Sequence, residues 1–372
     1  MEYTEREILR SLNEQDRGPG PSSRVSPLNA PSDDPSSWQP VDLGPVLRGE
    51  QFEQPPTMWR RSDGVCLLYA GKVHAINAES ESGKTWMALH VCAELMSDGE
   101  QVVFIDFEDS ASTIVGRLVD LGVPKNVVEM CFHYIRPDEP LSDEARAGLV
   151  ELVTTTTAGI AVVDGVTEAM VQNGWSINDN DDTAKFFARL VRPIQLAGAA
   201  VLLLDHVTKS KDGRGRHAIG AQHKLSGVDG AVYLAEGTRP YGRGLNGASS
   251  LTVMKDRPGH VRPSCRDGKA VGTFRLTSLG EGKVRPELVP VGTVPPGSVA
   301  EVKEEHLVRL SQALANNGGW MSQTKLEGAA TGNSFGLRLA ATWLVASGFA
   351  ELRERGQAKE YRHVKPYQGL DE

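Results

Sequence analysis

The 372-residue sequence predicts an α/β fold: a mostly parallel sheet flanked by helices, followed by a small helical domain. Three observations predict it. From about residue 55, apolar runs such as "KVHAINA", "QVVFIDF", "GIAVVDG" and "AAVLLLDHV" alternate with longer segments of helical period. These runs are continuous in Val, Ile and Leu, the pattern of strands covered on both faces. Beyond the Pro- and Gly-rich "VPVGTVPPGSVA", the order changes to helix, short helix, helix and two strands.

The elements follow in order. Residues 3–15 are expected as a short amphipathic helix, with Ile8, Leu9 and Leu12 on one side. The stretch "RGPGPSSRVSPLNAPSDDPSSWQP" cannot bury enough apolar surface to offset its ordering entropy, so residues 1–54 read as a flexible segment and linker. Residues 55–285 form the main domain. In it, "KVHAINA" is a strand and "KTWMALHVCAELMSDG" a helix closed by Gly99. After the strand "QVVFIDFE", the helix "SASTIVGRLVDLG" starts at a Ser110 or Ser112 cap and stops at Gly122. The strand "GIAVVDGV", a helix "AKFFARLVRPIQLAG" and the strand "AAVLLLDHV" complete the parallel layer. "GAVYLAEGT", "SSLTVMKDR" and "GTFRLTSLG" alternate more and are expected as antiparallel additions at one edge. Residues 286–302 are a second linker. Residues 303–367 have the element order of a winged helix-turn-helix.

Composition narrows the function. A formal net charge of −8 argues against bulk electrostatic coating of nucleic acid, so any such contact must be a local patch. Four cysteines without CxxC spacing read as reduced thiols. No apolar run approaches the roughly 20 residues of a membrane span, and the charged N-terminus lacks a signal-peptide core. A cytoplasmic protein is the expectation.

The stretch "AESESGKT" carries the chemistry. A strand, a small-residue loop, Gly-Lys-Thr and a helix form the context a phosphate-binding loop requires. The candidate nucleotide contacts are Ala78, Glu79, Ser80, Glu81, Ser82, Gly83, Lys84, Thr85 and Trp86. Backbone N–H groups of Ser80 to Lys84 would wrap phosphates at the positive end of the helix. Lys84 would reach the β- and γ-phosphates, and the Thr85 hydroxyl would ligate Mg²⁺. Ala78 stands where the usual pattern has glycine. It costs little at negative φ and on the order of 1 kcal/mol or more at positive φ.

Further polar residues end the other strands. Asp164 is placed to hold the Mg²⁺ shell. Glu108 could polarise a water that attacks the γ-phosphate, with Asp106 and Asp109 as nearby rivals. His206 could sense the γ-phosphate, or simply cap and pack. All lie at the carboxyl edge of the strands, where open parallel sheets bind ligands.

The series "AESESGKT", "VVFIDFED", "GIAVVDG", "VLLLDHVTKS" and "LTVMKDRPG" resembles the RecA-like ATPases over roughly residues 55–280. It is most similar to their hexameric branch of DnaB-, RadA- and RepA-type proteins. The resemblance implies Glu108 as catalytic base, Asp164 as the Walker B aspartate and His206 as the sensor. It also implies that Lys255 and Arg257 of "VMKDRPG" enter a neighbouring subunit's site. A cation supplied in trans stabilises the dispersed charge of phosphoryl transfer, so this motif predicts a homo-oligomer, with a hexameric ring favoured. The alternative is a plain surface Lys-Asp-Arg turn.

Two regions are candidates for DNA. The segment after the sensor strand carries Lys209, Lys211, Arg214, Arg216 and Lys224 among glycines, suited to gripping a phosphate backbone, single-stranded by expectation. It lacks aromatics, so base stacking is not signalled. In the C-terminal domain, Asn333, Ser334 and Arg338 would face DNA from a recognition helix. Arg353, Arg355, Lys359 and Arg362 would place the wing, although such domains also dock proteins. The resulting expectation is an ATP- and Mg²⁺-dependent oligomeric motor on DNA, of the phage or plasmid helicase kind. A non-motor ATP-switched DNA-binding, recombination or loader protein is the alternative.

Overall fold

A computed structural model describes residues 40–50, 52–207, 222–291, 304–330, 334–355 and 358–367. The expected helix at 3–15, the basic residues Lys209, Lys211, Arg214 and Arg216, and Asn333 lie outside them. The chain divides into two units, before and after residue 291.

A short hairpin, β1 (Met58–Arg60) with β2 (Cys66–Leu68), opens the first unit. The main sheet follows: β3 (Val73–Ala78), β4 (Val102–Asp106), β5 (Phe132–Ile135), β6 (Ile160–Asp164), β7 (Ala200–His206), β8 (Ala231–Arg239), β9 (Gly247–Asp256), β10 (Ala270–Gly280) and β11 (Lys283–Val289). Their order is β11-β10-β9-β8-β3-β7-β6-β4-β5. Strands β5, β4, β6, β7, β3 and β8 run parallel, and β9 to β11 are antiparallel. This corrects one expectation. The first half of β8 is buried and pairs parallel to β3, while Glu236, Gly237 and Thr238 in its far half are exposed.

The continuous apolar runs are explained by layers on both faces. Ile76, Phe104, Val162 and Leu202 point to the helix Lys84–Ser97 and its neighbours. Their odd partners Ala75, Val103, Val163 and Leu203 point to the helices Asp143–Thr156, Val166–Gln172 and 180–196. Each fully buried large side chain contributes about 1.5–3 kcal/mol, so both layers are stabilised by burial along every central strand.

Ser110 caps the helix Ala111–Asp120, accepting from the Thr113 N–H, and Gly122 follows at φ 92°. The expected helix at 184–198 starts earlier, at Asn180, under an Asp179 cap. It widens to a π turn over Phe187–Val191 just before Pro193, which has no N–H for the carbonyl four residues back. Strand β5, the helix Lys125–Cys131 and the helix Asp143–Thr156 were not foreseen.

The second unit has a helix Glu304–Asn317, β12 (Met321–Ser322), helices Gln323–Gly328 and Ser334–Ala346, then β13 (Ala350–Arg355) and β14 (Ala358–His363). The three strands form an antiparallel sheet in the order β12-β14-β13. Leu310, Leu314, Trp343, Leu344 and Tyr361 fill its core. Trp320 is instead half-buried, with the guanidiniums of Arg353 and Arg362 at 4.2 and 5.0 Å from its ring. Those arginines pair with Glu360 and Glu351, and exposed Arg338 pairs with Glu327 at 2.7 Å.

Candidate active site

Parallel pairing places Ala78 opposite His206, and Asp106 opposite Asp164, at one carboxyl edge. The loop after β3 therefore opens where β4, β6 and β7 also end. Ala78 is the last residue of its strand, wholly buried, with negative φ. The methyl group is accommodated there. The unusual backbone lies elsewhere: Glu81 has φ 62° and Gly83 φ 80°. Gly83 is needed twice over. A Cβ on it would stand 2.7 and 2.8 Å from the Cε2 and Cε1 atoms of Tyr241. That ring is fixed by its hydroxyl on Ser249 at 3.0 Å, and Ser249 donates to the Ser82 carbonyl at 2.8 Å. Gly83→Ala is expected to cost on the order of 1–3 kcal/mol through overpacking and to lower nucleotide affinity. Thermal melting and nucleotide titration of the variant check this.

The helix Lys84–Ser97 starts at the end of this loop. Lys84 is buried, and burial lowers its pKa against the pull of Glu108, Asp164, Asp205 and Glu168. Its Nζ lies 3.0 Å from Nδ1 of His206. With Lys84 charged, Nδ1 can only accept, so Nε2 carries the imidazole proton and donates to Glu108 Oε1 at 3.1 Å. The hydrogen bond from His206 holds the Glu108 carboxyl below its ordinary range, and the same contact raises the imidazole. A chain Lys84–His206–Glu108 thus links the first residue of the helix Lys84–Ser97, the end of β7 and the turn after β4.

Asp106, the rival to Glu108, has a different job. Its carboxylate accepts from the N–H groups of Glu108 and Asp109 at 2.9 Å each and from the Tyr134 hydroxyl. It builds the turn that presents Glu108. Asp109 pairs with Arg117, whose guanidinium lies 5.5 Å from the Trp86 ring. Trp86 is thereby partly buried against the helix Ala111–Asp120.

Thr85 donates from Oγ1 to Asp164 Oδ2 at 2.8 Å. The other oxygen, Oδ1, is buried with no partner among the described residues. Burial first, and Glu108 second, push the Asp164 carboxyl up to about 7. An orphaned carboxylate oxygen beside a hydroxyl is a hard-oxygen set that suits Mg²⁺, and a cation there would reverse the penalty of burying the charge.

Glu168 was not foreseen. It stands in the first turn of the helix Val166–Gln172, and its carboxyl lies with those of Glu108 and the imidazole of His206 within 4.8 Å of one another. A Glu four residues beyond a strand-ending Asp, on a helix starting just after Gly165, was the available signal.

Lys224 requires a correction. It is not a free cation of the basic segment: it is buried and donates to Asp205 Oδ2 at 3.0 Å. A lysine so desolvated and paired is not offered to a phosphate backbone.

Lys255 and Arg257 lie away from the loop of their own chain. Lys255 pairs with Val232, which is level with Ala75, and the Arg257 N–H donates to Gly230, beside Val73. At about 3.3 Å per residue this is roughly 10–17 Å from the end of β3, toward the opposite edge. The intervening Asp256 accepts from the Tyr69 hydroxyl at 2.6 Å and from the N–H groups of Gly259, Val261 and Arg262. The turn is therefore built, not slack. It leaves Arg257 exposed, whereas Lys255 donates to the Val228 carbonyl at 2.6 Å.

Comparison with known proteins finds matches to part of the chain. Residues 39–212 match a family model described as an AAA domain. RecA of Ureaplasma parvum serovar 3 is 25% identical over 129 residues, 34% of this chain and 36% of that protein. RecA of Anaplasma marginale (strain Florida) is 32% identical over 104 residues, 28% of this chain and 26% of that one. The chain thus matches only about a quarter to a third of the length of these relatives. A KaiC-like protein from Pyrococcus horikoshii OT3 superposes with a TM-score of 0.44 at 11% identity, covering 62% of this chain and 99% of that one. In the AAA-domain match over residues 39–212, the RecA matches, and the loop, sheet order and strand-end carboxylates described above, the chain is similar to RecA-like P-loop ATPases.

Proposed function

We propose that the protein hydrolyses ATP as an oligomeric motor on DNA, of the phage or plasmid helicase kind. The observation that carries the reading is the chain Lys84–His206–Glu108, which links the phosphate loop to the strand that leads straight into the basic segment. Lys84 binds the phosphates, Glu108 orients and deprotonates the attacking water, and His206 reports whether a γ-phosphate holds Lys84. Thr85 and Asp164 would hold Mg²⁺, which neutralises charge on the β- and γ-oxygens when bound. Arg257, exposed and remote from its own loop, would complete a neighbour's site. This supports a homo-oligomer, and we favour a hexameric ring. The second unit, with its three helices followed by a hairpin, serves as a winged-helix contact to DNA or protein. The internal pairing of Arg338, Arg353 and Arg362 favours protein docking.

The test is ATPase rate per chain against protein concentration, with and without single-stranded DNA. The rate should rise with both, and mixing inactive Lys84→Ala and Arg257→Ala chains should restore turnover. A cation supplied in trans is worth about 10³-fold or more, so Arg257→Ala alone should be nearly silent. A flat rate per chain and no complementation would refute a shared site. A strand-displacement assay separates the motor from an ATP-switched loader.

A further inference from the structure

The geometry points to Glu168 as a positioning residue for the hydrolytic reaction: its carboxyl shares a proton with Glu108 and so aims the Glu108 carboxylate at His206 and the attacking water. The inference rests on the hydrolytic reading of the site.

Three observations carry it. Glu168 Oε2 is buried and has no hydrogen-bond donor or acceptor partner among the described residues. The atom that shares its pocket is Glu108 Oε1. Both close over the α-carbon of Gly165, where a Cβ would stand 2.6 Å from Glu168 Oε2 and would also collide with Glu108 Oε1. Two carboxyl oxygens so placed repel if both groups are ionised, whereas one proton between them satisfies both. The surroundings decide which group keeps it. Glu108 has a donor in His206 and lies near Lys84, so it is the anion. Glu168 is half-buried, gains less from His206 and faces the Glu108 charge, so it holds the proton and donates.

The consequence is orientation. Glu108 sits in a turn and is itself exposed, so one hydrogen bond from His206 leaves its carboxylate free to rotate. A second bond, from Glu168, removes that freedom. Gly165 is what allows the two side chains to meet.

The test compares wild type, Glu168→Gln and Glu168→Ala. Glutamine keeps the donor at every pH; alanine removes it. Glu168→Ala should lose kcat by about 10- to 100-fold, the rate equivalent of one hydrogen bond to a charged group, with KM within about threefold. Glu168→Gln should stay within about threefold of wild type at neutral pH and lose the alkaline decline in kcat, because its donor cannot ionise. Independently of turnover, infrared difference spectra of the nucleotide-free protein should show a carboxylic-acid carbonyl band in wild type that Glu168→Gln lacks. Equal kcat for the alanine and wild-type proteins, identical behaviour of both variants, or no such band would overturn the assignment. If wild type does not hydrolyse ATP, or Glu108→Gln leaves turnover intact, the hydrolytic reading itself fails instead.

Discussion

Glu108→Gln should lower kcat by about 10²- to 10⁴-fold while ATP still binds. That is the range for removing a positioned general base. Glutamine keeps the size of the side chain and can still contact His206, so the phosphate loop keeps its shape. Nucleotide affinity, read by titration with a fluorescent analogue, should change by less than about threefold. The wild-type acid limb should follow Glu108, whose carboxyl the His206 contact holds below its ordinary range. Activity therefore persists as pH falls until below the usual glutamate value, and is lost as Glu108 protonates. A variant that keeps full turnover would assign the base elsewhere, and Asp106 would not be the replacement. Its carboxylate is already committed to two backbone N–H groups and Tyr134.

Asp164→Asn should make the nucleotide-free protein more stable at neutral to alkaline pH and at the same time weaken Mg²⁺-dependent nucleotide binding. The sign follows from burial. The carboxyl is almost wholly buried and is pushed up to about 7 from 3.8. Between those values the folded state holds a proton that the unfolded state has lost, so stability falls as pH rises from about 4 to about 7. Each pH unit of that interval is worth about 1.4 kcal/mol at most. Asparagine removes the penalty and still accepts from the Thr85 hydroxyl. The melting temperature of the metal-free variant should therefore exceed wild type by several degrees at mildly alkaline pH, and the gap should close toward pH 4. In wild type, affinity for Mg²⁺ with nucleotide should drop about tenfold per pH unit below 7, as protons compete for the same oxygens. A variant no more stable than wild type in alkaline buffer would show that Asp164 is not desolvated as described. Such a trade, stability given up for a charged site, is common where function requires a buried ion.

Much of this was legible in the chain itself. "KVHAINA", "VVFID", "GIAVVD" and "AVLLLDH" are strands because runs of Val, Ile and Leu can be buried on both faces only in a covered sheet. Gly83, Lys84 and Thr85 announce a phosphate loop because that backbone and those side chains are needed together. Strand ends in Asp106, Asp164 and His206 gather at one edge because parallel strands share a direction. The sequence by itself determined these local things: which segments are strands and helices, and which residues end them. Only the tertiary structure decided the pairings. It put Ala78 at negative φ, so that its methyl group fits, and moved the left-handed backbone to Glu81. It turned Lys224 inward onto Asp205, which no count of basic residues in its segment could reveal. It aligned β8 parallel to β3 despite its alternating pattern, and brought Glu168 against Glu108 from a helix sixty residues on. These outcomes depend on which neighbours meet across the sheet. That is set by the burial of the whole set of elements at once, and no single stretch of sequence contains it.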